Sequence, residues 1–173
     1  MDDNLLALSA LGAALRALPG LSAVHTSSDP GAFVSLCARE GVDLALVDLC
    51  LPRTTGFAVV SELRRHAPQT RAVILSGLVS HQDIDAAVAA GAWGYLYKAD
   101  AAAMIVDVIG RVARNEFVLS ETARATLLTA GEERTIAVER VMVRSKPAQI
   151  PTLMAKVEKP IPTDWAEQTP SIL

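Results

Sequence analysis

Three side chains able to hold or answer an anion stand at the ends of three apolar segments. Val42-Asp43-Leu44-Ala45-Leu46-Val47 closes on Asp48, Val73-Ile74-Leu75 runs into Ser76, and Gly94-Tyr95-Leu96-Tyr97 runs into Lys98. A carboxylate, a hydroxyl and an ammonium at successive strand ends make a small site for an anion carried on an acyl oxygen. Open α/β sheets place their chemistry in that crevice, beyond the carboxyl ends of parallel strands. A lone aspartate after a strand is more often a cap or a turn former, and Ser76 before Gly77 could simply start a turn. The company the three residues keep is what argues for a site.

Helical and strand patterns alternate from residue 4 to about 115, as positioning such tips requires. Leu5, Leu8, Leu11, Leu15 and Leu18 recur at helical spacing and Pro19-Gly20 stops that helix. Leu21 to Thr26 is a short strand candidate. Asp29 and Pro30 supply an N-cap and a first-turn proline for a helix with Phe33, Leu36 and Cys37 on its apolar side. After Asp48, a helix from about Phe57 to Ala67 ends before Pro68. Arg71 to Ser76 is a strand, Ser80-x-x-Asp83 resembles a capping box, and Gly91 closes the helix that follows. Trp93 to Lys98 is a strand, with Trp93 a packing residue, and Asp100 caps a helix carrying Ile105, Val108, Ile109 and Val112. Strands alternating with such helices predict right-handed βαβ units and a doubly wound parallel sheet covered on both faces.

Composition narrows the function classes. The chain has 173 residues, 51% hydrophobic and 4% aromatic, with a formal net charge of -3. Such a balance argues against a broad nucleic-acid surface, which needs a basic excess. Cys37 and Cys50 show neither disulfide nor zinc spacing, and both read as small buried hydrophobes, in keeping with a reducing, cytoplasmic setting. No apolar run approaches the ~18 residues of a membrane span, and no basic region precedes an apolar one at the start. His25, His66 and His81 lack any partner spacing, which points to solvent exposure or capping. From Gly131 onward six basic and six acidic residues cancel, so no polybasic arm is present.

Residues 2 to about 119 resemble a response-regulator receiver domain of the NarL/LuxR type. The resemblance rests on Asp2-Asp3, on Leu46-Val47-Asp48-Leu49-Cys50-Leu51-Pro52 with Gly56, on Val73-Ile74-Leu75-Ser76, and on Ala90-Gly91-Ala92-Trp93-Gly94-Tyr95-Leu96-Tyr97-Lys98. It implies a flavodoxin-like α/β fold of strand order 2-1-3-4-5. It further implies that Asp48 takes a phosphoryl group from a histidine kinase and that Ser76 and Lys98 contact the phosphoryl oxygens. By the same resemblance Asp2, Asp3, Asp48 and the Cys50 backbone carbonyl bind Mg2+, and Tyr95 is the aromatic that changes orientation on phosphorylation. Hard oxygen donors suit that ion, and charge on a transferring phosphoryl group has to be offset.

In the family the acidic pair ends the first, central strand; here only Met1 precedes it, so strand 1 is missing from the sequence. Truncation of a longer reading frame is the favoured account. The alternatives are a segment near 134–143 filling the slot, or closure of the remaining strands with weakened metal binding. The expected organisation is a receiver over residues 1–119, a short helix and a candidate strand over 120–144, and an extended or disordered tail over 145–173. Five of the nine prolines (Pro147, Pro151, Pro160, Pro162 and Pro170) fall in that tail.

The leading functional expectation is a two-component response regulator. It would switch protein–protein interaction through the face of its fourth helix, fifth strand and fifth helix, residues 80–114, with a homodimer through the receiver as a further expectation. No helix-turn-helix pattern follows, so no direct nucleic-acid binding and no membrane association are expected of this chain. Two rivals are a receiver-like interaction module that is never phosphorylated and a truncated remnant of a DNA-binding transcriptional regulator. An aspartate-nucleophile phosphatase would want a second acid where Cys50 stands, so the chain is not expected to be an enzyme.

Overall fold

The computed structural model describes residues 1–129. In chain order the elements are α1 (Leu5–Arg16), α2 (Pro30–Glu40), β1 (Leu44–Asp48), β2 (Cys50–Leu51), β3 (Thr54–Thr55), α3 (Gly56–His66), β4 (Arg71–Ser76), α4 (His81–Ala90), β5 (Gly94–Tyr97), α5 (Lys98–Ala113), β6 (Val118–Leu119) and α6 (Glu121–Leu128). The expected segments 134–143 and 145–173 lie outside the described residues.

Local chemistry sets most of the boundaries. Asn4 caps α1 by accepting from the Leu6 and Ala7 amides at 3.0 and 3.1 Å. Asp29 Oδ1 accepts from the Ala32 amide at 2.6 Å, and Pro30 fills the first position of α2, where no amide is needed. Ser80 Oγ accepts from the Asp83 amide at 3.1 Å and donates to Asp83 Oδ2 at 2.7 Å, so the Ser80–Asp83 pair closes as its spacing predicts. Gly91 ends α4 at a φ of 97°, a conformation other residues rarely adopt.

The main sheet is parallel in the order β1-β4-β5-β6, and β2 pairs with β3 in a small antiparallel ribbon. Helices cover both faces. Ala45, Val47, Ala72, Ile74 and Tyr95 face one core with Phe33, Cys37, Val60, Leu63, Ile84 and Ala123 from α2, α3, α4 and α6. Leu46, Val73, Leu75, Leu96 and Val118 face the other, with Ile105, Val108 and Val112 of α5 and the half-buried Leu11 and Leu15 of α1. Burial on two faces explains why β4 reads as an unbroken apolar run rather than an alternating one. Each large side chain so buried contributes about 1.5–3 kcal/mol, which offsets the ~1–2 kcal/mol lost in fixing its backbone.

Four expectations change. Leu21–Thr26 is not a strand; a strand exists only through a partner, and among the described residues no ladder reaches this segment. Leu5, at the start of the leucine series, is 70% exposed, so the buried stripe of α1 is confined to its C-terminal half. Lys98 opens α5 rather than closing β5, and Asp100 does not cap that helix, because the N-cap position falls on Tyr97. Its carboxylate instead accepts from the Thr122 amide at 3.2 Å. The structure also adds β2, β3 and β6, none of which the sequence reading contained.

Beside β1, the backbone of Met1 enters the ladder. Its nitrogen donates to the Leu46 carbonyl at 2.9 Å, and its carbonyl accepts from the Asp48 amide at 3.0 Å. This pairing delivers Asp2 to the tip of the sheet. Trp93 packs at the opposite end, beneath the Arg71 guanidinium 5.6 Å from its ring centre, and Arg71 in turn donates twice to Asn115 Oδ1.

Candidate functional site

Register brings the three tips level. Asp48 pairs with Leu75, and Ser76, one residue further on, pairs with Tyr97, the neighbour of Lys98. Lys98 Nζ stands 2.9 Å from Asp48 Oδ1 and 2.9 Å from Asp2 Oδ2. Both carboxylates are buried, whereas the lysine side chain keeps 36% of its surface exposed. Burial alone would push the Lys98 ammonium toward a lower pKa; hydrogen bonds and charge from Asp2 and Asp48 outweigh it and raise the value. Lys98 is therefore a firm cation between two buried anions.

Asp3, exposed at the rim, completes an acidic cluster. One carboxylate oxygen each from Asp2, Asp3 and Asp48 lie within 4.8 Å of one another. Three hard oxygen donors converging at a partly open rim fit a small divalent cation such as Mg2+, which keeps several of its waters. Asp2 is held for this by its Oδ1, which accepts from the Asn4 amide at 2.9 Å. Gly56 lies directly under the site, where a Cβ would meet the Asp48 carbonyl oxygen at 2.5 Å.

Ser76 and Tyr95 face the other side of the sheet tip. Ser76 is buried, and its Oγ accepts from the Leu78 amide at 3.2 Å. Among the described residues no hydrogen bond joins it to Asp48 or Lys98. Tyr95 is fully buried, and its hydroxyl donates to the Leu78 carbonyl at 2.9 Å. Burial pushes the Tyr95 phenol up, against the smaller opposing effect of a hydrogen bond with Ser76. The structure thus gathers Asp2, Asp3, Asp48 and Lys98 and leaves Ser76 apart from them, linked through Leu78 to Tyr95. The Leu78 link was missed because a loop leucine, 77% exposed, carries no chemical signal in its side chain. Its backbone makes both contacts.

Cys50 is exposed, not buried as expected, because the chain leaves the sheet after Leu49 to enter the β2–β3 ribbon. Cys37 is buried, and that burial pushes its thiol up to about 11. A thiol-selective alkylating reagent at neutral pH is expected to label Cys50 alone in the folded chain and both cysteines in denaturant; rapid labelling of Cys37 under native conditions would contradict this placement. His25 is exposed, and His66 is exposed beside Glu62 at 3.2 Å. His81 departs from expectation. It is half-buried, and its Nδ1 is buried without a partner among the described residues. No described helix is long and apolar enough to cross a membrane.

Comparison with known proteins agrees with this geometry. Residues 1–109 match the family described as the response regulator receiver domain. The chain is 28% identical over 121 residues to the nitrate/nitrite response regulator protein NarP of Escherichia coli (strain K12), covering 70% of this chain and 56% of that protein. It is 25% identical over 140 residues to the NarL protein of the same strain, covering 81% of this chain and 65% of the relative. The chain thus spans between about half and two thirds of the length of these relatives. Among solved structures, a LuxR-family two-component response regulator from Aurantimonas sp. SI85-9A1 superposes with a TM-score of 0.68 at 24% identity, covering 81% of this chain and 94% of that one. With its parallel sheet, its buried Asp48 and its acidic rim, this chain belongs to the response-regulator receiver domain family of two-component systems.

Proposed function

We propose that Asp48 is a phosphoacceptor served by a histidine kinase, with residues 1–119 as the receiver unit and the chain from 120 onward as its appendage. The observation that carries this reading is the single ammonium of Lys98 at 2.9 Å from both Asp48 and Asp2, beside three convergent carboxylates. An Asp48 oxygen attacks phosphorus, the P–N bond to the donor imidazole breaks, and the proton-bearing imidazole leaves as an acyl phosphate forms. Lys98 sits where it can follow the new charge, leaving Asp2 for a phosphoryl oxygen. Ser76 reaches the same group by giving up the Leu78 amide. Mg2+ held by Asp2, Asp3, Asp48 and the Cys50 carbonyl would offset charge on the transferring oxygens. The acyl phosphate brings nearly two negative charges to the sheet tip. That charge changes the face of α4, β5 and α5, with Tyr95 as the reporting aromatic, and partners or a second copy read the change.

The rival reading, an interaction module that is never phosphorylated, draws on the closed Lys98 ion pair, which already satisfies Asp48. Incubation with acetyl phosphate and magnesium separates the two. Attack by Asp48 then expels acetate, and the intact chain is expected to gain one phosphoryl mass that Asp48→Asn does not gain. An unchanged mass, or an equal gain in Asp48→Asn, would overturn the phosphoacceptor role.

A further inference from the structure

Helix α6 and the two residues of β6 cover a part of the receiver that the proposed output would use. Val118 and Leu119 pair with Gly94 and Tyr95, extending the sheet beyond β5. Gly94 is what admits them, since a Cβ there would stand 2.7 Å from the Val118 carbonyl oxygen. Ser120, fully buried, continues the ladder: its amide donates to the Tyr95 carbonyl at 3.2 Å, and its Oγ accepts from the Tyr97 amide at 3.0 Å. The same Oγ accepts from the Ala123 amide at 3.3 Å and so caps α6. From there α6 lies over the α4 side of the sheet, with Ala123 fully buried and Leu127 packed against the core that holds Ile84, Ala87 and Tyr95.

One chain of contact leads from the acidic site to this cap, and a second starts from Ser76 at the neighbouring strand tip. Asp48 holds Lys98, the first residue of α5; two residues later Asp100 accepts from the Thr122 amide in the first turn of α6. Ser76 holds the Leu78 amide, the Leu78 carbonyl holds the Tyr95 hydroxyl, and the Tyr95 carbonyl holds the Ser120 amide. The groups expected to move toward a phosphoryl group, Lys98 and Ser76, stand at the heads of the two chains that end on the anchors of α6. An eight-residue helix has little stability of its own, so its docking depends on those anchors.

We infer that α6 is an intramolecular occupant of the α4–β5 face, held by Ser120, Thr122 and Asp100 and loosened when Asp48 is phosphorylated. The inference rests on the phosphoacceptor reading for its trigger but not for the contacts themselves. The α4–β5 face is then a conditional docking surface, closed by this chain's own helix in the unmodified state.

Hydrogen exchange of the full chain, read by mass spectrometry over residues 121–128 with residues 71–76 as control, tests it. With acetyl phosphate and magnesium, the α6 amides are expected to exchange about fivefold faster or more, with β4 unchanged. Ser120→Ala, which lies outside the phosphoryl site, should show fast α6 exchange beforehand and the same phosphoryl gain. A chain that is phosphorylated by mass yet keeps its α6 exchange would overturn the inference. If no phosphoryl group is gained, the trigger fails separately, and Tyr95→Phe, which cuts the Leu78 contact at nearly constant volume, reads the coupling alone. Faster α6 exchange in that variant supports it; unchanged exchange overturns it.

Discussion

Gly56→Ala is expected to destabilise the domain by about 2–4 kcal/mol and to slow phosphoryl uptake by Asp48 on the order of 10²-fold. The added Cβ would meet the Asp48 carbonyl oxygen at 2.5 Å and the Leu49 Cα at 2.9 Å. Both are backbone atoms, so no side chain can turn aside. The Gly56 amide also donates to the Leu49 carbonyl at 2.9 Å, which ties the start of α3 to the end of β1. Relief therefore means moving the strand tip that carries Asp48, the proposed phosphoacceptor. Urea unfolding should show a lower midpoint with an unchanged slope. Stability within ~0.5 kcal/mol of the parent, the range of a neutral surface change, would show that this contact does not constrain the tip.

Lys98→Met is expected to cost about 1–3 kcal/mol at neutral pH without divalent metal. Removing one partner of a fully buried pair costs ~3–5 kcal/mol, and the partial exposure of Lys98 discounts that figure through solvent screening. For a domain of this size the corresponding fall in Tm is about 3–10 °C. Magnesium should restore more stability to the variant than it adds to the parent, because ammonium and metal compete for the same carboxylates. The pH dependence has a definite sign. Asp2 and Asp48 raise the Lys98 pKa in the folded state. The gain is therefore fully present below the ordinary lysine value of ~10.4 and is lost as pH rises through the higher folded value. The stability difference between parent and variant should stay level through neutral pH and shrink only above about pH 10.4. A difference that vanished between pH 7 and 9 would mean that the ion pair does not contribute as drawn.

The elements that could be read from sequence are those whose signals close over a few residues. Asp29 with Pro30, Ser80 with Asp83, and Gly91 each satisfy or release a backbone group within one turn, so they act wherever the helix is placed. The all-apolar Val73-Ile74-Leu75 likewise demanded cover on both sides. Leu21–Thr26 carried a similar short apolar signal and failed, because a strand is a property of a pair and no segment among the described residues pairs with it. Cys50 failed for a related reason: the chain turns away immediately after Leu49, and nothing local marks which side of that turn meets water. The β6 pairing left one faint trace, a glycine at position 94 inside a strand, where close approach of another backbone is a standing reason for glycine.

Order and spacing along the chain by themselves determined that Asp48, Ser76 and Lys98 stand at the carboxyl ends of neighbouring parallel strands, since βα units wind with one hand and put all those ends on one side. What only the tertiary structure decided is which of those groups touch. Lys98 bonds Asp48 and Asp2, Ser76 is turned toward Leu78 and Tyr95, Met1 enters the ladder beside β1, and α6 lies across the α4–β5 face. Successive residues of a strand point their side chains to opposite faces, so a one-residue difference in register separates a contact from a near miss. That register is set by pairing between segments far apart in the chain, which no local pattern of residues encodes.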